Sequence, residues 1–326
     1  MDHLSNKSTP AIFADRRARD WVGGFLLAGI LMGVLGSLVV AWQYQLDTDG
    51  RWVGLHFLGM NAGVLVAGFC TQRLLRKWSI RAGCLLGCLV ASTGFVSLVL
   101  TPPPMQIWWR VAGVTLLGCG AGILLTALFH LVKPYYEEDA AATVNFAGGL
   151  FALGCCLATF LVVVVYLLSY SIQWETILLA VIPLAFFVLY WRREPPAVMS
   201  VKEALPVDRT LNHSVLNDLR SIAAVLFSLL LFFQFGNEWA LASWLPLFLI
   251  HRLGSSPVSA IFVLAAYFVS LLLGRFIAQL LLAHVSHTRL LVTSITAAMF
   301  GYLLLSSTNS LLGAAAAAVL TGLSLA

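Results

Sequence analysis

FFQFGNEWALASWLPLFL, residues Phe232–Leu249, lies inside an apolar run that extends from Ser221 to Ile250. As a helix that run would measure about 45 Å at ~1.5 Å per residue, more than the ~30 Å needed to cross a hydrocarbon layer. Three polar side chains interrupt it: Gln234, Asn237 and Glu238. Their i, i+3, i+4 spacing puts them on one helical face. A carboxyl group at hydrocarbon depth is expensive, so it faces a polar interior on an ion or solute path, or makes a buried hydrogen bond between helices. Pro246 lacks the amide donor that a helix interior uses, which predicts a kink or break there.

Outward from this segment the same texture continues. Apolar spans are expected at Trp21–Gln43, Trp52–Gln72, Ala82–Leu100, Ile107–Val132, Ala141–Ser169 and Trp174–Trp191. They resume at Ser221–Ile250, Pro257–Ala283, Arg289–Ser306 and Ser310–Ala326. Hydrophobic residues make up 60% of the chain and charged residues 10%, against about 25% charged in soluble domains. Mean hydropathy is +0.92. The fold class is therefore an all-α polytopic membrane protein, and the short alternating segments of a membrane barrel are missing. The run from Trp21 is longer than a signal-peptide core and is read as the first membrane helix.

Charge sets the orientation. Lys7, Arg16, Arg17 and Arg19 precede the first span; Arg73, Arg76, Lys77 and Arg81 follow the second. Lys133, then Arg192, Arg193, Lys202, Arg209 and Arg220, then Arg289 fall on the same side, whereas the alternate loops hold Arg51, Arg110 and Arg252. The tail 1–20 and the central connection 192–220 are thus expected in the cytoplasm. Basic loops account for the formal charge of +5, so no nucleic-acid partner is expected. Every acid falls in a tail, a loop or a helix end except Glu238. Arg275 is the cation left inside a span, able to reach the interface or to pair with a polar neighbour. The cysteines Cys70, Cys84, Cys88, Cys119, Cys155 and Cys156 lie in or beside apolar segments without metal-ligand spacing, and no cofactor or metal is expected.

A shift of 207 residues aligns Gly63–Phe95 with Ser270–Tyr302 without a gap. It matches Gln72 with Gln279, Ser79 with Ser286 and Gly94 with Gly301. With the polar connection at mid-chain, this predicts two halves: 21–191 with six helices, and 221–326 with helices seven to ten. Carried by the same shift, Trp191 would fall at 398, so the chain is expected to lack part of its tenth helix and two more. A native ten-helix protein is the alternative.

Two parallel repeats of six helices resemble the major facilitator transporters. Gly68, Arg73, Arg76 and Lys77, after the second helix, resemble that family's loop signature of glycine followed by Asp-Arg-x-Gly-Arg-Arg/Lys. Here Gln72 stands for the Asp and Leu75 for the second Gly. The resemblance implies a conformational loop on the cytoplasmic face; positive-inside residues alone are the other reading. Gly236-Asn237-Glu238 ahead of Ser243-Trp244-Leu245-Pro246 resembles the seventh helix of the fucose-permease-like branch. The acids that sugar–proton symport uses there in the first and fourth helices are missing from Trp21–Gln43 and Ile107–Val132.

The resemblance implies a secondary active transporter of a small organic solute, sugar-like in that branch and proton-coupled, working by alternating access as a monomer in the plasma (bacterial inner) membrane. Glu238, Asn237, Gln234, Trp239 and Asn145 are the candidate solute- or proton-binding residues. Packing is the competing role for Trp239 and Asn145. Efflux of amphiphiles by the same fold is the alternative. An intramembrane enzyme is disfavoured, since no HExxH, GxSxG or paired Asp occurs, and no GxxxxGK[ST] loop is present to hold ATP.

Overall fold

The computed structural model describes residues 20–42, 49–102, 105–138, 140–168, 172–194, 221–282 and 284–326. The expected tail and most of the central connection lie outside them. Ten helices are described: α1 (Gly24–Ala41), α2 (Gly50–Leu74), α3 (Ile80–Leu100), α4 (Ile107–Glu138), α5 (Ala140–Leu167), α6 (Ile172–Arg192), α7 (Ile222–Leu253), α8 (Pro257–Leu282), α9 (His287–Ser307) and α10 (Leu311–Leu325). Eight are long and apolar enough to cross a membrane; α6 and α10 contribute shorter apolar helices.

Local chemistry sets the helix ends. The Asp49, Ser79 and Ser310 side chains accept from the amides of Arg51, Ala82 and Gly313, occupying donors that the first turn leaves open. α7 stops at Gly254, whose φ of 60° glycine tolerates without a Cβ penalty. Shifted by 207 residues, α2 falls on 257–281 and α3 on 287–307, the observed bounds of α8 and α9 within a residue. The repeat seen in side chains is therefore also a repeat of backbone elements.

Without a hydrophobic drive between helices in lipid, small residues let backbones approach. α1 lies along α5, where a Cβ at Gly29 would collide with the carbonyl of Phe151 and one at Gly33 would sit 2.7 Å from the Cys155 Cα. α2 meets α4 at Gly63, Gly118 and Gly122, and α3 meets α4 at Gly87, Gly94 and Gly120. Gly301, the repeat mate of Gly94, closes α9 on Thr321 of α10 as Gly94 closes α3 on Leu117 of α4. One core is built mainly from α1 to α6; a second joins α7 to α10 with Ala152, Cys155 and Cys156 of α5. The two meet where α5 packs on α8 and α1 on α7.

Of the kink or break expected near Pro246, a break is not found: α7 is continuous from Ile222 to Leu253. Pro246 cannot donate to the carbonyl four residues earlier, that of Ala242. That carbonyl points at Gly36 of α1, close enough that a Cβ there would collide with it. A Cα–H of Gly36 is the donor available to it. The proline has opened a contact between the two cores rather than the helix.

Candidate functional site

Glu238 is 4% exposed and opens the buried half of α7, which runs on through Leu241, Ala242, Leu245, Leu247 and Leu249. α8 packs against it here. Arg275 of α8 places Nη2 3.8 Å from Glu238 Oε1. This pairs the lone mid-span acid with the lone mid-span cation. On the other side Arg275 lies against Gly148 of α5, where any side chain would collide with the guanidinium. The ion pair thus sits at the seam between the cores, touching α5, α7 and α8.

Tyrosines fix the backbone of α7 at this level. Tyr267 of α8, fully buried, donates its hydroxyl to the Glu238 carbonyl oxygen at 3.3 Å, and Tyr302 of α9 donates to that of Asn237 at 3.2 Å. Tyr267, Leu271 and Arg275 follow at i, i+4 and i+8, so one face of α8 carries both the hydroxyl and the guanidinium to α7.

The other expected residues divide among different neighbours. Gln234 is half-buried and its Nε2 donates to the Leu325 carbonyl of α10 at 2.5 Å. Asn237 has an exposed side chain. Trp239 meets Phe151 of α5 edge to face, ring centres 5.9 Å apart, an arrangement aromatic pairs favour. Asn145, half-buried on α5, lies one turn before Gly148 and so on the side facing Arg275. Gly68 faces Thr126 of α4, Arg73 lies 4.3 Å over the Phe69 ring, and Arg76 and Lys77 are exposed just beyond α2.

A cleft next to this seam is lined by Trp239, Ala242 and Ser243 of α7, Met32 and Gly33 of α1, and Asn61 of α2. The space open to the centre of a water molecule there is ≈ 10 Å³, room for about one water. Gly36 and Phe57 line the same cleft, where Gly36 meets the Ala242 carbonyl and the Phe57 and Trp244 rings stand 5.9 Å apart. Asn61, Tyr267 and Tyr302 are additions that the sequence did not suggest. The pairing of Arg275 with Glu238 was open to it, because lone opposite charges within spans have each other as the cheapest partner.

No family model matches this sequence, and no curated protein matches it significantly. Solved structures do match in shape. A D-xylose–proton symporter superposes with a TM-score of 0.71 at 13% identity, over 94% of this chain and 79% of its own. The major facilitator superfamily transporter FucP in its outward conformation gives 0.66 at 17%, over 94% and 81%. A point mutant of the nucleoside transporter NupG gives 0.70 at 11%, over 94% and 79%. The chain has the major facilitator fold and is a multi-pass membrane protein.

Proposed function

We propose that this chain is a secondary active transporter that carries a small organic solute across the membrane by alternating access, coupled to protons. The observation that carries the reading is the buried Glu238–Arg275 pair at the seam between the two cores. A charge pair at mid-membrane is costly to keep. Placed between units that move against each other, it supplies a proton-accepting group where a solute can reach it. Residues 21–191 and 221–326 are the moving units. The basic residues of the tail, the 73–81 loop and the central connection support a cytoplasmic position for those segments. In this reading the contacts of Gly36 with Ala242 and of Phe57 with Trp244 lie toward the outer side, and they support a conformation shut on that side. The cleft at Trp239 and Asn61 is where the solute would enter as it opens. The protein acts as a monomer, in the plasma (bacterial inner) membrane, with no role as an enzyme.

The three neighbours are a xylose symporter, FucP and a nucleoside transporter, which supports a polar solute of that size. Liposomes containing the purified chain, alkaline inside, are expected to accumulate at least one of labelled D-xylose, L-fucose, D-galactose, D-galacturonate or uridine above the external concentration. Collapsing the gradient with a protonophore should release it. Equal levels with and without protein for every member of the panel would contradict the reading.

Closure at the outer end gives a separate expectation. In Gly36→Val the branched side chain cannot share space with the Ala242 carbonyl, and overpacking of this kind costs about 1–3 kcal/mol. That bias shifts the population toward the outward-open state by about fivefold or more. Maleimide labelling of a Ser243→Cys reporter, with the native cysteines replaced, should accelerate accordingly. An unchanged rate would mean that the Gly36–Ala242 contact does not hold this end shut.

A further inference from the structure

We propose that the transported solute carries a carboxylate, and that this anion and the Glu238 carboxylate alternate as the counter-ion of Arg275. The inference rests on the transport reading and narrows its substrate class.

The guanidinium is incompletely satisfied. Arg275 presents five N–H donors in a planar fork. Glu238 approaches Nη2 at 3.8 Å, beyond hydrogen-bond distance. Nε of Arg275 is buried with no hydrogen-bond partner. An arginine that is 16% exposed and meets its counter-ion only through space still lacks an acceptor at the buried Nε. A planar carboxylate would engage two donors at once in the bidentate geometry that guanidinium favours. Gly148 of α5 packs directly on the Nη1 edge of Arg275, so the anion would take the Nε–Nη2 edge, where Nε lacks a partner. Besides Asn145 on the α5 side that faces Arg275, the groups gathered around the pair are neutral hydroxyls and a thiol: Tyr267 on α8, Tyr302 on α9 and Cys155 on α5. Among the described residues Arg275 makes no other ion pair.

Charge balance links the anion to a proton. Arginine stays cationic throughout. In the empty site Glu238 is ionised and the pair sums to zero. When a solute carboxylate takes the guanidinium, an ionised Glu238 would leave one unbalanced negative charge at hydrocarbon depth, so Glu238 accepts one proton from the adjoining water. The loaded site again sums to zero, with one anion and one proton aboard. No covalent bond changes. A neutral sugar can offer hydroxyls to the fork, but it cannot replace the negative charge and so gives Glu238 no reason to protonate.

The test uses the full chain in detergent at pH 6, with thermal unfolding as readout and two matched pairs of probes. These are D-galacturonate against D-galactose, and L-lactate against 1,2-propanediol. At least one acid is expected to raise the Tm where its neutral mate does not. In Glu238→Gln the resident counter-ion is gone, so that acid should act at about a tenth of the wild-type concentration or less, a difference of ~1.4 kcal/mol. Arg275→Lys keeps the charge but loses the fork and should retain a weakened response; Arg275→Gln should lose it. If neither acid exceeds its mate, or if Glu238→Gln binds the acid no more tightly than wild type, the inference is wrong. Flux of a neutral sugar that Arg275→Gln leaves intact would overturn it while the transport reading stands. A Tm response to an acid without any flux would keep the anion site and remove transport.

Discussion

Replacing either partner of the Glu238–Arg275 pair alone is expected to lower stability by about 3–5 kcal/mol, while replacing both costs less than either single change. Glu238→Leu leaves a guanidinium at hydrocarbon depth with neither counter-ion nor acceptor. Arg275→Leu leaves a carboxylate that is 4% exposed without compensation. Arg275 sits beside Gly148 and Glu238 with its side chain 16% exposed, so most of the guanidinium's surroundings are protein rather than water. In Glu238→Leu/Arg275→Leu both desolvated charges disappear together. Reversible unfolding in mixed micelles, analysed as a double-mutant cycle, measures this coupling. Single changes of under ~1 kcal/mol that simply add in the double variant would show that the 3.8 Å pair is incidental. The same cycle bears on function, since the stable double variant should lack proton-coupled transport.

The second large effect concerns the glycines that let backbones touch. Gly118→Ala is expected to cost at least the upper end of the about 1–3 kcal/mol range for overpacking. Its Cβ would run into the carbonyl of Met60, and its next neighbours at 2.9 and 3.0 Å are backbone atoms of the same residue. No rotamer change relieves a clash with backbone, so α2 and α4 must separate along the whole Gly63–Gly118–Gly122 contact. Gly236→Ala is the internal control. Nothing lies within 4 Å of a Cβ there, and in a helix interior alanine is better than glycine by roughly 0.5–1 kcal/mol. The two variants should therefore shift the unfolding midpoint in opposite directions. A matched pair of small losses would contradict the close packing of α2 on α4.

Much of the fold was legible because membrane helices report themselves by length and composition. Each expected span overlaps one of the ten described helices, and the 207-residue offset found from Gln72, Ser79 and Gly94 also aligns helix bounds. Of the kink or break expected at Pro246, the break is not found, because a missing amide donor can be answered in two ways: the helix breaks, or the freed carbonyl finds a neighbour. Only tertiary structure shows that Gly36 is that neighbour.

At the site, spacing put Gln234, Asn237 and Glu238 on one face, of which Gln234 and Glu238 meet other helices. It could not say that α10 takes Gln234, that α8 takes Glu238 and that Asn237 stays exposed. Such division depends on which helices pack on α7. Arg275 stands far from Glu238 in sequence, so no motif joins them; the scarcity of charge in the spans is the one signal that does. Tyr267 and Tyr302 gave no signal at all, because a tyrosine in an apolar run is ordinary until its hydroxyl is seen on the α7 backbone.

Proton coupling through Glu238 is tested most directly by accumulation. The quantity to measure is the accumulation ratio of the transported member of the solute panel in liposomes that are alkaline inside, compared between wild type and Glu238→Gln at equal protein. Wild type is expected to concentrate the solute and to lose that ability as the gradient is collapsed. Glu238→Gln is expected to give no accumulation above the external concentration at any imposed gradient. If Glu238→Gln concentrates the solute to the wild-type ratio with the same response to pH, Glu238 is not the coupling group.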